Sequence, residues 1–218
     1  MLNKLKRDII VTAYNAGDGH IPSALSCVGM IWNLYETMQP EDKFILSKGH
    51  GALALYVVLA EKGIITRDEL NSFCSFDSNL GGHPDANKIP EAVVSTGSLG
   101  HGLPMGIGMA LAKKIKEEDG IIYVLLCDGE CNEGSIWESA LLIKHLKLDN
   151  IVCYIDNNQS SAINLSGLNG MLSVFSNNFI ALKMIKGDGV SMMEKNPAKW
   201  HHGIPNKEEL DEILKELE

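Results

Sequence analysis

A chain of 218 residues is long enough for one large domain with a substantial core. Its 45% hydrophobic content and mean hydropathy of 0.00 are those of a soluble globular protein, and no stretch reaches the length of a membrane span. A net charge of -9 argues against nucleic acid and membrane as partners, but not against a phosphorylated ligand held by a metal ion or by backbone N–H groups.

The N-terminal stretch MLNKLKRDIIVTAYNAG sets Leu2, Leu5, Ile9 and Ala13 at helical spacing with charges between them. It predicts an amphipathic helix and lacks the long apolar core of a signal peptide. A second helix is predicted at PSALSCVGMIWNLYETM, with Pro22 in its first turn and Pro40 beyond its end. DKFILS reads as a short strand, and HGALALYVVLAEKG as an apolar helix closed by Gly63. Thr66 and Glu69 form a capping box that opens another helix at TRDEL. Residues 71–100, rich in glycine and proline, read as loop. The glycines of the next helix, LPMGIGMALAKKIKEE, imply close packing or close approach to a ligand.

GIIYVLLC is a nearly continuous apolar run, the pattern of a strand covered on both faces. The helix GSIWESALLIKHLKL and the strand IVCYID complete a βαβ unit. FIALKMI is a further strand, and NKEELDEILKEL a final helix started by Asn206 and Glu209. The expected fold is α/β: a single domain, residues 1–218, whose central sheet is mainly parallel and flanked by helices. The five cysteines contain no C-x-x-C pair, so a cysteine zinc site is not expected; free thiols in a reducing cytoplasm are.

The chemistry concentrates where YVLLC runs into Asp128, Gly129, Glu130, Asn132 and Glu133. Ligands of open α/β sheets sit at the carboxyl ends of strands. Asp128 ends one strand, and Asn157 and Asn158 end the next, about 30 residues on, the length of a βαβ unit. If these strands are neighbours, a carboxylate and an amide oxygen meet in one small volume. Such a hard-oxygen site suits Mg²⁺ or Ca²⁺ with phosphate oxygens as further ligands. The helix that begins near Gly134 adds N–H groups aimed at an anion. Taken singly, DG and DNN are ordinary polar turns; their joint spacing is what reverses that reading.

Asp-Gly followed by NEG and, later, by NN resembles the thiamine-diphosphate motif, with Cys127 where that motif usually begins with glycine. DKFILSKGHGALALYVVLAEKG, LGGHPD and STGSLGHGLPMGIGMALAKK resemble the amino-terminal half of transketolase. KGDGVSMMEKNPAKWHHGIPNKEEL resembles the end of that half in split, two-gene forms. The resemblance runs from about residue 10 to 212.

It implies that Asp128 and Asn158 ligate the metal by side chain and Ser160 by its carbonyl. It puts His50, Gly97, Ser98, Leu99, Gly129 and Glu130 at the cofactor, with Ser98 replacing a common proline. His20, His83 and His201 act on substrate, His201 also facing the diphosphate, with His202 as its alternative; Glu133 links paired active sites. His145 reads as a surface residue, and His101 as one near the glycine loop. The implied reaction is two-carbon ketol transfer from a ketose (phosphate) to an aldose with Mg–thiamine diphosphate. The activating glutamate belongs to a pyrimidine-binding domain that this chain lacks, so a C-terminal partner subunit in an α₂β₂ assembly is expected. Only LNGMLSVFSNN separates the metal loop from the next strand. By the resemblance, a βα segment of about 30 residues is missing there, which leaves three readings: a sheet edge uncovered by the loss and covered by the partner, a minimal specialised subunit, or a decayed protein. The alternatives are another thiamine enzyme component, of the deoxyxylulose-phosphate synthase or 2-oxo acid dehydrogenase type, or a non-catalytic scaffold partner.

Overall fold

The computed structural model describes residues 1–159 and 177–218. The chain divides into two compact units. The first comprises Met1–Thr37, His50–Ile89 and Met184–Glu218; the second comprises Met38–Gly49 and Pro90–Lys183.

The first unit is helical. It contains α1 (Leu2–Ala16), α2 (Ile21–Thr37), α3 (Ala52–Glu61), α4 (Arg67–Asn71), α7 (Ser191–Lys195) and α8 (Lys207–Glu216). Leu5, Ile9, Ile10 and Ala13 are the buried stripe of α1, at the spacing read from the sequence. They face α2 and α3, and α3 is apolar all round because all but its last residue is buried. Both predicted capping boxes are present: Thr66 and Glu69 open α4, and Asn206 and Glu209 open α8. Gly63, at φ +70°, turns the chain after α3.

Among the described residues the second unit contains a four-stranded parallel sheet in the order β1 (Lys43–Leu46), β2 (Ile122–Cys127), β3 (Ile151–Asn157), β4 (Phe179–Lys183). Helices α5 (Gly102–Lys116) and α6 (Gly134–Leu146) share its core: Leu103, Ile107 and Ala110 of α5 and Ile136, Ala140 and Ile143 of α6 pack with Val124, Leu126, Ile151 and Ile155. β2 is buried except at Tyr123, as expected of a strand covered on both faces. Among the described residues β4 pairs only with β3, and only Phe179 of its five residues is buried. Residues 160–176, which include Ser160 and most of the shortened segment, lie outside the described residues.

Two of the three glycines of α5, Gly102 and Gly106, are there for packing. A Cβ on Gly106 would lie 3.0 Å from Val124 and 3.3 Å from Ile45. At Gly102 it would meet the Cα of Ser47 at 2.8 Å, so this helix starts in direct contact with the tip of β1. Gly108 faces open space. Gly102→Ala is therefore expected to cost about 1–3 kcal/mol, lowering Tm by several degrees. Gly108→Ala is expected to hold or raise Tm, as alanine is the better helix former. Thermal unfolding of the two variants checks this; an unchanged Tm for Gly102→Ala would contradict the contact.

Candidate cofactor and substrate sites

In the second unit, β2 and β3 are parallel neighbours, and Cys127 is the register partner of Asp156. Asp128 and Asn158 therefore leave the carboxyl ends of adjacent strands. The Asp128 carboxylate, only 7% exposed, accepts from the N–H of Gly129 at 2.8 Å. The Asn158 amide donates to Asp156 at 2.9 Å. Asp156 in turn receives the Lys48 ammonium at 2.5 Å, and both members of that ion pair are fully buried. One carboxylate thus orients Asn158 and neutralises a buried cation. Removing either partner of such a pair leaves the other charge stranded, at a cost of about 3–5 kcal/mol.

Glu130 is the second buried acid at this place. Ser47 Oγ donates to its Oε1 at 2.5 Å and the Gly100 N–H at 3.0 Å, while the Cys127 N–H donates to Oε2 at 3.1 Å. Burial pushes its carboxyl upward, opposed by these three donors and by Lys48. One side chain thereby ties the end of β1, the glycine loop and the end of β2 together. Cys127, the departure from the usual glycine, has a role in this arrangement. Its thiol accepts from the Glu130 N–H while Glu130 accepts from the Cys127 N–H, a capping box on the 3-10 turn Asp128–Asn132. Burial pushes the thiol far above its ordinary range, so it stays protonated.

The loop that carries Gly97, Ser98 and Leu99 is held against β1: Thr96 donates to the Leu46 carbonyl at 2.7 Å, and a Cβ on Gly49 would strike the Gly97 nitrogen at 2.8 Å. Ser135 donates to the Gly100 carbonyl at 2.7 Å, and the Glu133 side chain covers Gly100. Glu133 is itself exposed, and Gly134 at the start of α6 has nothing within 4 Å of a Cβ position. These features suit a metal–diphosphate group: an orienting carboxylate beneath an amide, a second carboxylate beside it, and open backbone at the N-terminus of a 13-residue helix. His101 caps the other end of the loop, with its Nδ1 3.0 Å from the Leu99 carbonyl, and His145 lies exposed on α6.

In the first unit the histidines converge. Gly17 (φ +68°) ends α1 and Gly19 (φ +135°) turns the chain, delivering His20 directly before α2. Buried Trp200 anchors the chain that leaves α7, so that His201 and His202 emerge beside it. His20 has ring-centroid distances of 3.9 Å to His202, 5.5 Å to His201, 5.6 Å to His50 and 6.1 Å to His83. Both His201 and His202 reach the cluster, and His201 Nδ1 also lies 3.2 Å from the Lys186 ammonium. Burial first, then His202, His201 and His83, lower His20 from the ordinary 6.5 to about 4, against a smaller raising effect of Asp18. Burial, Lys186 and His202 lower His201 as well. These rings are therefore neutral near pH 7, fit to accept or donate single hydrogen bonds to hydroxyl groups.

Ser47, Lys48 and Asp156 were not singled out by the sequence reading. The available signal was two charges, Lys48 and Asp156, directly following or ending apolar strand segments.

The family described as "Transketolase, thiamine diphosphate binding domain" matches residues 7–172. The chain belongs to this family. One of the apulose-4-phosphate transketolase subunits of Phocaeicola vulgatus is 34% identical over 258 aligned positions, covering 98% of this chain and 91% of that protein. That alignment is longer than the 218 residues of the chain, so the relative carries residues that this chain lacks. Human transketolase is 37% identical over 171 residues, 72% of this chain and 27% of that protein. Solved transketolases from Leishmania mexicana (TM-score 0.78, 22% identity) and Campylobacter jejuni (TM-score 0.77, 24% identity) share the fold across 100% and 99% of the chain. The chain spans 41% of each of those two solved chains. Among the described residues no helix is long and apolar enough to cross a membrane.

The depressed His20 sets a pH dependence. Between pH 6.5 and about 4 the unfolded chain takes up a proton that folded His20 does not. Its contribution to stability is therefore complete above 6.5 and falls as pH drops through that window. His20→Gln is expected to flatten the slope of Tm against pH there; an identical slope in variant and wild type would contradict a ring held neutral.

Proposed function

We propose that this chain is the thiamine-diphosphate-binding subunit of a two-chain transketolase-like enzyme, with residues 1–218 acting as one diphosphate-binding domain. The enzyme moves a two-carbon ketol unit from a ketose, free or phosphorylated, to an aldose. Support comes chiefly from the β2–β3 register, which sets Cys127 opposite Asp156 and so sends Asp128 and Asn158 off neighbouring strand tips.

In this reading Asp128 and Asn158, with the Ser160 carbonyl, hold Mg²⁺ (Ca²⁺ would serve), and Gly129 and the start of α6 face the diphosphate. Gly97, Ser98 and Leu99 meet the aminopyrimidine ring, and His50 the diphosphate. Glu130, whose carboxylate already takes three donors of the protein, acts by fixing that loop. When bound, thiamine diphosphate supplies the electron sink for breaking and forming a C–C bond beside a carbonyl. The chain's own contribution is placement and proton handling. His20, His83 and His201 (or His202) hydrogen-bond the sugar hydroxyls and carry protons to and from them. Glu133, exposed beside Gly100, contacts the neighbouring protomer.

A separate chain would supply the pyrimidine-binding domain, in an α₂β₂ enzyme of the cytoplasm, where five free cysteines are at home. Two relatives covered nearly full length, from Phocaeicola vulgatus and Actinobacillus succinogenes, are named as parts of an apulose-4-phosphate transketolase, which makes apulose 4-phosphate the first donor to assay.

Calorimetry on the chain co-purified with its partner subunit tests the proposal. Thiamine diphosphate is expected to bind with a Kd of about 1 μM, near −8 kcal/mol, only when Mg²⁺ is present. Asp128→Ala is expected to abolish that heat with the circular dichroism spectrum kept. Equal binding by the variant, or no heat from the wild type under either condition, would overturn the assignment.

A further inference from the structure

Lys48 and Asp156 stand at the tips of β1 and β3, with β2 between them. Lys48 lies just past the end of β1, and its N–H donates to the Leu125 carbonyl of β2 at 3.2 Å. Its side chain crosses the tip of β2 to reach Asp156. Two strand spacings, about 10 Å, take a long side chain to bridge. Asp156 and Asn158 are separated by one residue, the spacing that puts side chains of extended chain on one face. The two oxygens of the Asp156 carboxylate are divided between these neighbours. Oδ2 takes the Lys48 ammonium at 2.5 Å, and Oδ1 takes the Asn158 amide at 2.9 Å.

We propose that Lys48 and Asp156 form a polarity relay that decides which end Asn158 presents to a metal ion, with Asp156 as a positioning residue. The proposal rests on the reading of Asp128 and Asn158 as metal ligands. An ammonium only donates, an ionised carboxylate only accepts, and a side-chain amide has one end of each kind. The three groups can therefore join in a single sense. The NH₂ end of Asn158 faces Asp156, and its carbonyl oxygen is the end turned away from that carboxylate. A hard divalent cation needs this oxygen; the other end would offer it N–H dipoles.

The relay makes a prediction that packing alone does not. Asp156→Asn gives position 156 one accepting and one donating end. The buried ammonium claims the accepting end, because a stranded buried charge is the costlier loss. The new NH₂ then faces the NH₂ of Asn158. Two donors cannot bond, so Asn158 turns its oxygen inward and its NH₂ toward the cation. Adding Lys48→Met removes the ammonium that forced this arrangement. The new amide turns its oxygen to Asn158, and the original sense returns. Lys48→Met with Asp156→Leu has nearly the same volume and no acceptor at all, so Asn158 loses its orientation.

The test uses Mn²⁺, an oxygen-ligated stand-in for Mg²⁺. Its binding is measured by equilibrium dialysis at fixed thiamine diphosphate, with the chain co-purified with its partner subunit. Asp156→Asn is expected to weaken binding by about 10–100-fold, the scale of lost outer-shell support. Lys48→Met/Asp156→Asn is expected to recover most of that loss, and Lys48→Met/Asp156→Leu to stay as weak as Asp156→Asn. Neither double variant strands a charge of the pair, so their comparison decides the matter even where Asp156→Asn alone fails to fold. Lys48 also lowers Glu130, an effect that both doubles lose alike. Equal affinity in the two doubles, or wild-type affinity in Asp156→Asn, would overturn the relay while the metal site stands. No Mn²⁺ binding by the wild type would overturn the metal reading and the relay with it, so the two failures are told apart.

Discussion

A buried carboxylate organises the sheet-end site. Glu130 is fully buried, and an ionised acid in that position is costly unless its lone pairs are used. Three protein donors use them: a hydroxyl at the end of β1, an N–H of the glycine loop and an N–H at the end of β2. Each donor comes from a separate stretch of chain, so the carboxylate works as a junction. Its bond to the Cys127 N–H closes the 3-10 turn, and its bond to the Gly100 N–H ties the glycine loop, which Thr96 also joins to β1, to the strand tips. The neighbouring Lys48–Asp156 pair does the same for Asn158. Asp156 thus orients Asn158, and Glu130 closes the turn that carries Asp128, the two side chains that the family resemblance assigns to the metal.

The helical unit handles its polar residues differently. There the histidines face one another, and burial, reinforced by neighbouring imidazoles and by Lys186 beside His201, lowers His20 and His201. Neutral imidazoles offer lone pairs and single N–H donors, chemistry that serves sugar hydroxyls. Lys186 and Asp18 are charged groups at the edge of the cluster, Lys186 within hydrogen-bond distance of His201 and Asp18 acting on His20.

Much of this was legible in the sequence because it depends on local pattern. Helix α1 followed from a four-residue apolar period, α4 and α8 from capping boxes, and β2 from an unbroken apolar run. The pairing of β2 with β3 was legible too, as the natural outcome of a βαβ unit. The junctions were not. Nothing near Glu130 in the sequence reveals that Ser47 and Gly100 converge on it, since those partners lie 83 and 30 residues away. The Lys48–Asp156 pair spans 108 residues and is equally non-local. In the sequence Cys127 is only a departure from the usual glycine; in the fold its thiol caps the turn. Glycine positions were ambiguous for the same reason: Gly106 answers to Val124 and Ile45, Gly108 to nothing, and only the packing distinguishes them.

The central claim is that the Glu130 carboxylate physically couples the glycine loop to the strand tip. Hydrogen exchange of the Gly100 and Cys127 amides in the wild type and in Glu130→Gln tests it most directly, since glutamine keeps the shape but replaces one of the two acceptor oxygens with a donor. Both amides are predicted to be strongly protected in the wild type. In Glu130→Gln at least one of them is predicted to exchange faster by an order of magnitude or more, with the circular dichroism spectrum retained. Unchanged protection of both amides would contradict the account.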